Sequence, residues 1–309
     1  MTTEETVDID ELMRLKKEAD AVILAHYYVN GEVQAIADYV GDSFGLSKKA
    51  AELDCRTLVF AGVTFMGESA KLLSPNKVVL MPDPMADCPM AHMVTKEKVE
   101  QTRAEYDDLA VVCYVNSTAE MKAWSDVCVT SSNALKICKQ LPQKNILFIP
   151  DHHLGRYIAG LLPEKHFILN DGFCPRHEAI SAEEVRQLKA EHPGAPFLAH
   201  PECPEWILQY ADYVGSTKGI IDYATEHDDK EFLIGTVYGV IHELERRNAG
   251  TGKKFYFPKT KPVCENMDGI TLKKVYDVLR ENVENVDDPG EFAPGARRAL
   301  QRMLDLAAR

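Results

Sequence analysis

The sequence lacks the features that mark membrane, secreted and nucleic-acid-binding proteins. Its longest mainly apolar runs, residues 21–25 and 57–63, fall well short of the roughly 18 residues that a membrane-spanning helix needs. The amino terminus is acidic and has neither the positive segment nor the apolar segment of a secretory signal. With 35 Lys and Arg against 48 Asp and Glu, the net charge of −13 argues against nucleic acid as the principal partner. We therefore expect a cytoplasmic protein that acts on small molecules, with no nucleic-acid partner and no membrane attachment.

Glycine, proline and cysteine are also scarce. The 18 Gly and 16 Pro among 309 residues are too few for a fibrous or low-complexity chain, and 45% hydrophobic residues suffice for a large core. The eight Cys are far below the density of a disulfide-stabilised scaffold. In a reducing compartment such cysteines are either packed as small hydrophobic residues or used as thiolates. Their positions therefore decide whether they form a site.

One pattern occurs three times along the chain. The motif around Asp38 recurs around Asp126 and Asp212, at separations of 88 and 86 residues. Short runs rich in Val, Ile, Leu and Phe recur in the same register, as expected of parallel strands covered on both faces. These runs are residues 21–25, 109–114 and 196–199, then 58–61, 146–149 and 232–234, then 78–81, 167–169 and 255–257. A fourth short strand is expected beside each shared aspartate.

Helix-like stretches alternate with these runs. They are residues 33–39, 46–53, 68–73, 118–124 and 133–140, with terminal helices at 10–18, at 271–282 and after Asp-Asp-Pro-Gly at 287–290. The alternation predicts an α/β fold of three pseudo-symmetric αβα units, each with a parallel sheet, around a central cavity. We expect the units to comprise residues 1–105, 106–190 and 191–309. The alternative is one periodic α/β sheet in which the matches arise by chance.

Three of the cysteines follow the repeat. Cys88, Cys174 and Cys264 are 86 and 90 residues apart, and each lies in a turn several residues after the third apolar run of its unit. Because ligands bind beyond the carboxyl ends of parallel strands, three such loops can converge on one axis. Three thiolates there suit zinc or an iron–sulfur cluster, and three buried cysteines without metal are the alternative. Cys203 is a competing ligand, although it breaks the repeat.

Polar residues close the first strand of each unit. His26, Tyr114 and His200 are equivalent in the repeat, and each begins a short polar segment. The segments together supply imidazoles, phenols, an amide and a carboxylate, which suit proton transfer at several carbons. Their side chains are those of His26, Tyr28, Tyr114, Asn116, His200 and Glu202. A lone histidine at a strand end is more often structural, but three equivalent ends favour a functional interpretation.

Hydroxyl groups precede the helix-like stretches after the shared aspartates. Ser43, Ser131, Ser216 and Thr217 lie where hydroxyls and free backbone N–H groups form anion sites, with simple helix capping as the alternative. The ends of the second strands add Glu68, His152, His153 and Arg156, and Arg156 is predicted to be able to hold a carboxylate or phosphate. The sequence contains no dinucleotide-binding glycine motif, phosphate loop, zinc-protease helix or nucleophile elbow.

At these residues the chain resembles the quinolinate synthase family. The match extends from His-Tyr-Tyr at 26–28 to Cys-Glu-Asn-Met-Asp-Gly-Ile-Thr-Leu at 264–272, nearly the whole sequence. It implies a [4Fe–4S] cluster held by Cys88, Cys174 and Cys264, whose open iron acts as a Lewis acid. It also implies condensation of iminoaspartate with dihydroxyacetone phosphate to quinolinate in de novo NAD biosynthesis. Phosphate and two waters are lost without net electron transfer, and an aspartate-oxidising enzyme is the implied source of iminoaspartate.

The resemblance also implies roles for individual residues. The implied catalytic residues are Tyr28, Tyr114, His200 and Glu202, and the implied substrate-binding residues are His26, Ser43, Asn116, Ser131, Ser216 and Thr217. Two positions depart from the family pattern: Val237 stands where Glu is frequent, and His92 stands where an acidic residue is frequent. The alternatives from other classes are a zinc- or cluster-binding metabolite sensor and an iron–sulfur hydro-lyase of the aconitase kind.

Overall fold

Three four-stranded parallel sheets form the framework in the computed structural model, which describes residues 7–309. The strands are β1 Ala21–His26, β2 Tyr39–Gly41, β3 Thr57–Ala61, β4 Val78–Leu80, β5 Leu109–Tyr114, β6 Val127–Val129, β7 Asn145–Ile149, β8 His166–Leu169, β9 Phe197–Ala199, β10 Tyr213–Val214, β11 Glu231–Gly235 and β12 Lys254–Tyr256. Their orders are β2-β1-β3-β4, β6-β5-β7-β8 and β10-β9-β11-β12. The three sheets thus share one topology, as the α/β repeat predicts.

Helices connect and cover the strands. They are α1 Ile9–Glu18, α2 Gly31–Ile36, α3 Ser43–Glu52, α4 Thr64–Leu73, α5 Lys96–Glu105, α6 Ala119–Ala123, α7 Ala134–Gln140, α8 His152–Leu161, α9 Pro175–Glu178, α10 Ala182–Glu191, α11 Glu205–Leu208, α12 Thr217–Glu226, α13 Ile241–Arg247, α14 Glu265–Asp268, α15 Leu272–Glu281 and α16 Ala293–Ala308. Short 3₁₀ turns occupy Pro89–His92, Tyr238–Val240 and Gly290–Phe292. Within the described residues, none of these helices has the length and apolar character needed to cross a bilayer.

The repeated aspartates fix the first strand of each sheet. Asp38, Asp126 and Asp212 each accept the backbone N–H of a first-strand residue, at 2.7, 2.7 and 2.8 Å. Each carboxylate also pairs with a cation from the helix before that strand, and the cations are those of Lys16, Arg103 and Lys189. The repeat motif therefore has a structural role, which is to join each helix to its strand and its strand to the next.

The predicted helix over residues 33–39 is wrong at its end. α2 ends at Ile36, the backbone of Ala37 is extended, and Tyr39 begins β2. A helix continuing through Asp38 would carry its carboxylate away from the backbone N–H of Ile23, where it is hydrogen-bonded. The tertiary contact therefore overrides the local helical pattern. The segment after Asp151, expected only as a strand end, instead begins α8 with the Asp151 carboxylate as its cap.

The C-terminal helices pack on the first two sheets rather than extending the third. α15 contacts α1, α2 and β3, whereas α16 contacts α4, α6, α7 and β6. Gly295 lets α16 approach α6 closely, since a Cβ there would lie 2.9 Å from the Ala123 side chain. The first two units and both helices share one hydrophobic core, while the third unit contributes two smaller clusters.

Candidate active site

A cavity of about 90 Å³ lies beyond the carboxyl ends of the strands, where all three units contribute residues. Such a position is the usual ligand site of parallel α/β sheets. The sequence-predicted residues that line it are Cys88, Cys174, Cys264, His26, Tyr28, Ser43, Tyr114, Asn116, Ser131, His200, Glu202 and Thr217. The structure therefore gathers residues that are separated by more than 200 positions in the sequence.

The three cysteines of the repeat have the same local geometry. Each is the capping residue before a single helical turn, with extended backbone. Each sulfur interacts with the backbone N–H groups of the residues two and three positions further on, which favours the thiolate. Burial nevertheless raises the pKa of Cys88 to about 12 and raises those of Cys174 and Cys264. The three thiols are therefore protonated at pH 7.

Direct contacts hold the three cysteine loops together. The first and third loops are joined by Asn266, whose side-chain amide donates to the carbonyl of Asp87. The second and third loops are joined by Arg176 and Glu265, at 2.7 Å. Asn170 donates to the Met93 carbonyl at 2.8 Å and so links the first and second loops. The ring of loops is thus closed by protein contacts alone.

The two strand-end histidines adopt the same turn. The backbone N–H of Tyr28 donates to Nδ1 of His26 at 3.2 Å, and that of Glu202 donates to Nδ1 of His200 at 3.3 Å. Burial lowers the pKa of His26 to about 4 and that of His200 to about 3, so both rings are neutral at pH 7. Since Nδ1 accepts in each ring, the proton resides on Nε2. Both histidines therefore offer neutral N–H donors, that of His200 lying 3.1 Å from the Ser131 hydroxyl.

A chain of hydrogen bonds connects the predicted catalytic residues through two residues that the sequence did not indicate. The Tyr114 hydroxyl donates to one oxygen of Glu202 at 2.6 Å, and Nδ1 of His177 lies 2.8 Å from the other. Nε2 of His177 lies 2.9 Å from the Thr236 hydroxyl, which lies 2.8 Å from the Tyr28 hydroxyl. Glu202, His177 and Thr236 thus have the carboxylate–imidazole–hydroxyl order of hydrolase triads.

The charge of Glu202 determines which groups donate and which accept along this chain of hydrogen bonds. Burial opposes ionisation, but His177, His200 and the Tyr114 hydrogen bond outweigh it and hold the pKa of Glu202 below its usual value. Burial, together with the nearby Glu202, raises the pKa of Tyr28 and Tyr114 well above the ordinary phenol value. An ionised carboxylate only accepts, so both His177 and Tyr114 donate to it. Nε2 of His177 then lies on the hydroxyl side of the chain, next to Thr236.

The remaining predicted binding residues differ in their engagement. Asn116 lines the cavity, and its buried side-chain oxygen has no partner among the described residues. Thr217 lies 2.7 Å from the Tyr28 hydroxyl. Ser216 is not among the lining residues, and its hydroxyl caps α12 by accepting the Gly219 N–H at 3.2 Å. An unpartnered amide oxygen is costly to bury, which makes Asn116 the group best prepared to receive a substrate donor.

Several candidates from the second strand ends lie outside the cavity. Arg156 forms an exposed ion pair with Glu205, and the expectation that it can hold a substrate anion finds no support in this position. His153 is 2.7 Å from Glu178, and its ring contacts Trp206. Glu68 is partly buried beside α6, and this burial raises its pKa.

The competing thiol and the two departures from the family pattern also have definite surroundings. Cys203 is fully buried, and its thiol donates to the Gly235 carbonyl at 3.3 Å. His92 lies 2.6 Å from the carboxylate of Asp87. Val237 is buried and forms part of the cavity wall. Cys203 is therefore a packed residue in this fold, and position 237 contributes apolar surface rather than charge.

The fold and the cavity define a class of α/β enzyme in which three pseudo-symmetric units surround a thiol-rich site with an acid–base chain. Residues 10–305 match the family described as NadA, Quinolinate synthetase A protein. The chain belongs to this family, and its activity is that of a quinolinate synthase in NAD biosynthesis.

Curated relatives support the same assignment over nearly their full length. The chain is 50% identical to the quinolinate synthase of Fusobacterium nucleatum subsp. nucleatum, over 96% of this chain and 99% of the relative. It is 47% identical to that of Caldicellulosiruptor bescii, over 96% and 97%, and 44% identical to that of Aquifex aeolicus, over 99% and 97%. These findings decide against a metabolite sensor and against a hydro-lyase of the aconitase kind.

Proposed function

We propose that Cys88, Cys174 and Cys264 hold a [4Fe–4S] cluster at the cavity. The observation that carries this proposal is the threefold equivalence of the thiols, each supported by two backbone N–H groups. The hydrogen bonds of Asn266 and Asn170 between the cysteine loops support it further, because a ligand set fixed by protein contacts needs little rearrangement to bind. Such a cluster supplies, when bound, an open iron that acts as a Lewis acid on a substrate oxygen.

The spacing of the ligands favours a cluster over a single zinc ion. Three thiolates around one tetrahedral zinc have sulfur atoms about 3.8 Å apart. Within residues 7–309, the set of three ligand atoms gathered within 4.8 Å comprises Cys174, His177 and Glu202, not the three thiols. That set is a candidate mononuclear site, but His177 and Glu202 are already satisfied by each other and by Thr236 and Tyr114. A multinuclear group suits the wider arrangement of thiols.

The substrates that we assign are iminoaspartate and dihydroxyacetone phosphate. Their condensation to quinolinate releases one phosphate and two waters, and the atoms balance without an oxidant or reductant. The reaction therefore needs proton transfers and departing hydroxyl groups rather than electron transfer. A cavity lined by two phenols, three imidazoles and three carboxyl groups provides such groups. The substrate carboxylates also require hydrogen-bond donors, which the Nε2–H groups of His26 and His200 provide.

We assign proton transfer to Tyr28, Tyr114, His200 and Glu202. The short bond from the Tyr114 hydroxyl to the ionised Glu202 keeps the phenol protonated, and Glu202 is the group of this pair that accepts a proton from substrate. His177 holds the other oxygen of Glu202 and connects it to Tyr28 through Thr236. One chain of hydrogen bonds thus connects Tyr114 with Tyr28, so that a proton taken up at one phenol can be matched by a proton released at the other.

The hydroxyl and amide groups are assigned to substrate binding. Ser43, Ser131, Thr217 and Asn116 line the cavity and can bind carboxylate, phosphate or imine groups. Ser216, which was expected to bind substrate, is instead assigned as the cap of α12 that positions the neighbouring Thr217. We further propose that the three α/β units end at residues 105, 190 and 309 and that the protein is cytoplasmic. An aspartate-oxidising enzyme is the proposed source of iminoaspartate.

Anaerobic incubation of the purified protein with both substrates tests this function directly. We expect quinolinate to form, detected by its absorbance and by mass spectrometry, with one phosphate released per product. Preparations of Cys88→Ser should lose both iron and product formation, whereas Cys203→Ser should keep both. Stoichiometric zinc without a brown chromophore, together with full turnover, would overturn the cluster assignment.

A further inference from the structure

A second cavity adjoins the catalytic cavity at Arg176, whose side chain lines both. It has a volume of about 140 Å³, room for several water molecules at about 30 Å³ each. Its walls come from the second and third cysteine loops and consist of Arg176, Ala179, Thr260, Lys261, Pro262, Val263 and Glu265. The two cavities therefore have Arg176 as a common wall residue, between the second and third cysteine loops.

The distribution of charge makes Arg176 exceptional. Among the described residues that line the catalytic cavity, Arg176 is the sole Lys or Arg, whereas Asp42, Asp87 and Glu202 contribute carboxyl groups to the same lining. The substrates assigned above carry two carboxylates and a phosphate. Anions of this kind need at least one fixed cation on their path, and a planar guanidinium can bind carboxylate or phosphate oxygens in pairs.

The present partner of Arg176 is exchangeable. Its guanidinium donates to Glu265 at 2.7 Å, but the two side chains are 37% and 73% exposed. Ion pairs exposed to this extent contribute little to stability, so an anion of higher charge can replace the carboxylate. The Glu265 side chain can then turn into solvent, because it is the more exposed of the two partners.

A second cation faces the same cavity without a carboxylate partner. Lys261 lies 4.0 Å from the centre of the Tyr238 ring and forms no ion pair within residues 7–309. Its loop is anchored one residue earlier, where Thr260 donates through its backbone N–H and its hydroxyl to Glu184, at 3.0 and 2.7 Å. The loop is thus held in place while the ammonium group stays available.

We propose that the second cavity is a phosphate-binding vestibule, in which Arg176 exchanges Glu265 for a phosphate group and Lys261 provides a second contact. The ligand is a phosphate monoester or inorganic phosphate, which present the same oxygens. The inference rests on the proposed function for the identity of the phosphorylated substrate, but phosphate binding itself does not depend on turnover. Arg176 then acts as a binding residue that selects the phosphorylated reactant at the entrance.

Titration of the anaerobically purified protein with inorganic phosphate, followed by ³¹P NMR line broadening or calorimetry, tests the vestibule. Arg176→Gln should weaken binding at least tenfold, and Lys261→Gln at least threefold. Glu265→Gln should strengthen binding, because it releases the guanidinium. Arg156→Gln is the matched control, since Arg156 forms a comparable exposed pair with Glu205 outside both cavities. Equal phosphate affinity in Arg176→Gln, Glu265→Gln and the unaltered protein would overturn the proposal.

Kinetics then distinguish the two sources of phosphate. If the vestibule receives the substrate ester, Arg176→Gln raises the KM for dihydroxyacetone phosphate and leaves that for iminoaspartate unchanged. If it receives released phosphate, only product inhibition by phosphate weakens. An equal rise in both KM values with unaltered phosphate inhibition counts against the vestibule. Iron content is measured in each variant, and Lys261→Gln, farther from the cysteines in sequence, repeats the test without a change beside a ligand. Failure to make quinolinate would contradict the proposed function while leaving the phosphate titration interpretable.

Discussion

Replacing Glu202 by Gln removes the negative charge that orients the hydrogen-bond chain while preserving its shape. The Gln carbonyl can still accept from His177 and its amide can donate to the Tyr114 oxygen, so both contacts at 2.8 and 2.6 Å have a neutral counterpart. Burial of an uncharged amide is also easier than burial of a carboxylate, which offsets part of the lost attraction. We therefore expect the fold and the iron content to be retained.

The expected loss of turnover follows from these two contacts. A hydrogen bond to a charged group contributes about 1.5–3 kcal/mol, against about 0.5–1.5 kcal/mol for a neutral one. Neutralising both bonds weakens the interactions that hold Tyr114 and His177 in place by about 2–3 kcal/mol. Loss of a positioned acid–base group typically lowers rates by about 10² to 10⁴, or about 2.7–5.5 kcal/mol. We expect kcat of Glu202→Gln to fall at least about a hundredfold.

A double-mutant cycle with His177→Asn tests whether the chain acts as a unit. If it does, the double variant should lose no more than the more damaged single variant, because groups that act together are not additive. Quinolinate formation and iron content are measured for each protein. Glu243→Gln is the matched control: Glu243 is buried and paired with Arg246 and Arg247, but it lies outside the cavity. Near-normal turnover in Glu202→Gln, or losses that multiply in the double variant, would refute the reasoning.

Three further predictions concern the metal, acid and packing. Anaerobically purified protein should contain about four iron and four sulfide per chain, and air should remove activity before it unfolds the protein; iron analysis and circular dichroism check this, and full activity in iron-free protein contradicts it. Because the pKa of His26 is about 4 when folded and about 6.5 when unfolded, the unfolded chain binds more protons between these values; stability should fall by about 2 kcal/mol between pH 7 and pH 5. Urea unfolding at both pH values measures it, and His26→Gln should remove this part of the pH dependence. Gly172→Ala places a Cβ 2.5 Å from the Pro150 carbonyl and should destabilise the chain by about 1–3 kcal/mol; an unchanged urea midpoint would contradict it.

The strands can be predicted from the sequence because each depends on residues that are adjacent in the chain. A parallel strand covered on both faces is a short apolar run, and β5 coincides with the predicted residues 109–114. The end of α2 cannot be predicted in this way, because it depends on a hydrogen bond from the backbone N–H of Ile23, in β1, to the Asp38 carboxylate. Helix α8 was missed because its first turn contains two histidines and a glycine, which resemble a loop.

The candidate site shows a different limit. Comparison of the three units finds residues that the units share, such as the three cysteines, but the chemistry depends on where the units differ. His177 corresponds to Ala91 and Met267, three residues after each cysteine, and Thr236 corresponds to Gly62 and Pro150 after the second strands. Both residues occur in one unit alone, so a search for equivalence passes over them. A search for polar residues at positions that are apolar or small in the other units would have found them.

The packing of α16 determines when the hydrophobic core of the first two units can close. This helix is synthesised after all three sheets, yet it covers α4, α6 and β6, which belong to the first two units. Its buried residues Leu300 and Met303 follow the last strand in the chain, so the face that they cover stays exposed while the third unit is made. Exposed apolar surface on an incomplete chain promotes aggregation. A chain without α16 would have three sheets and all its cysteine loops, but the apolar face of its first two units would be uncovered.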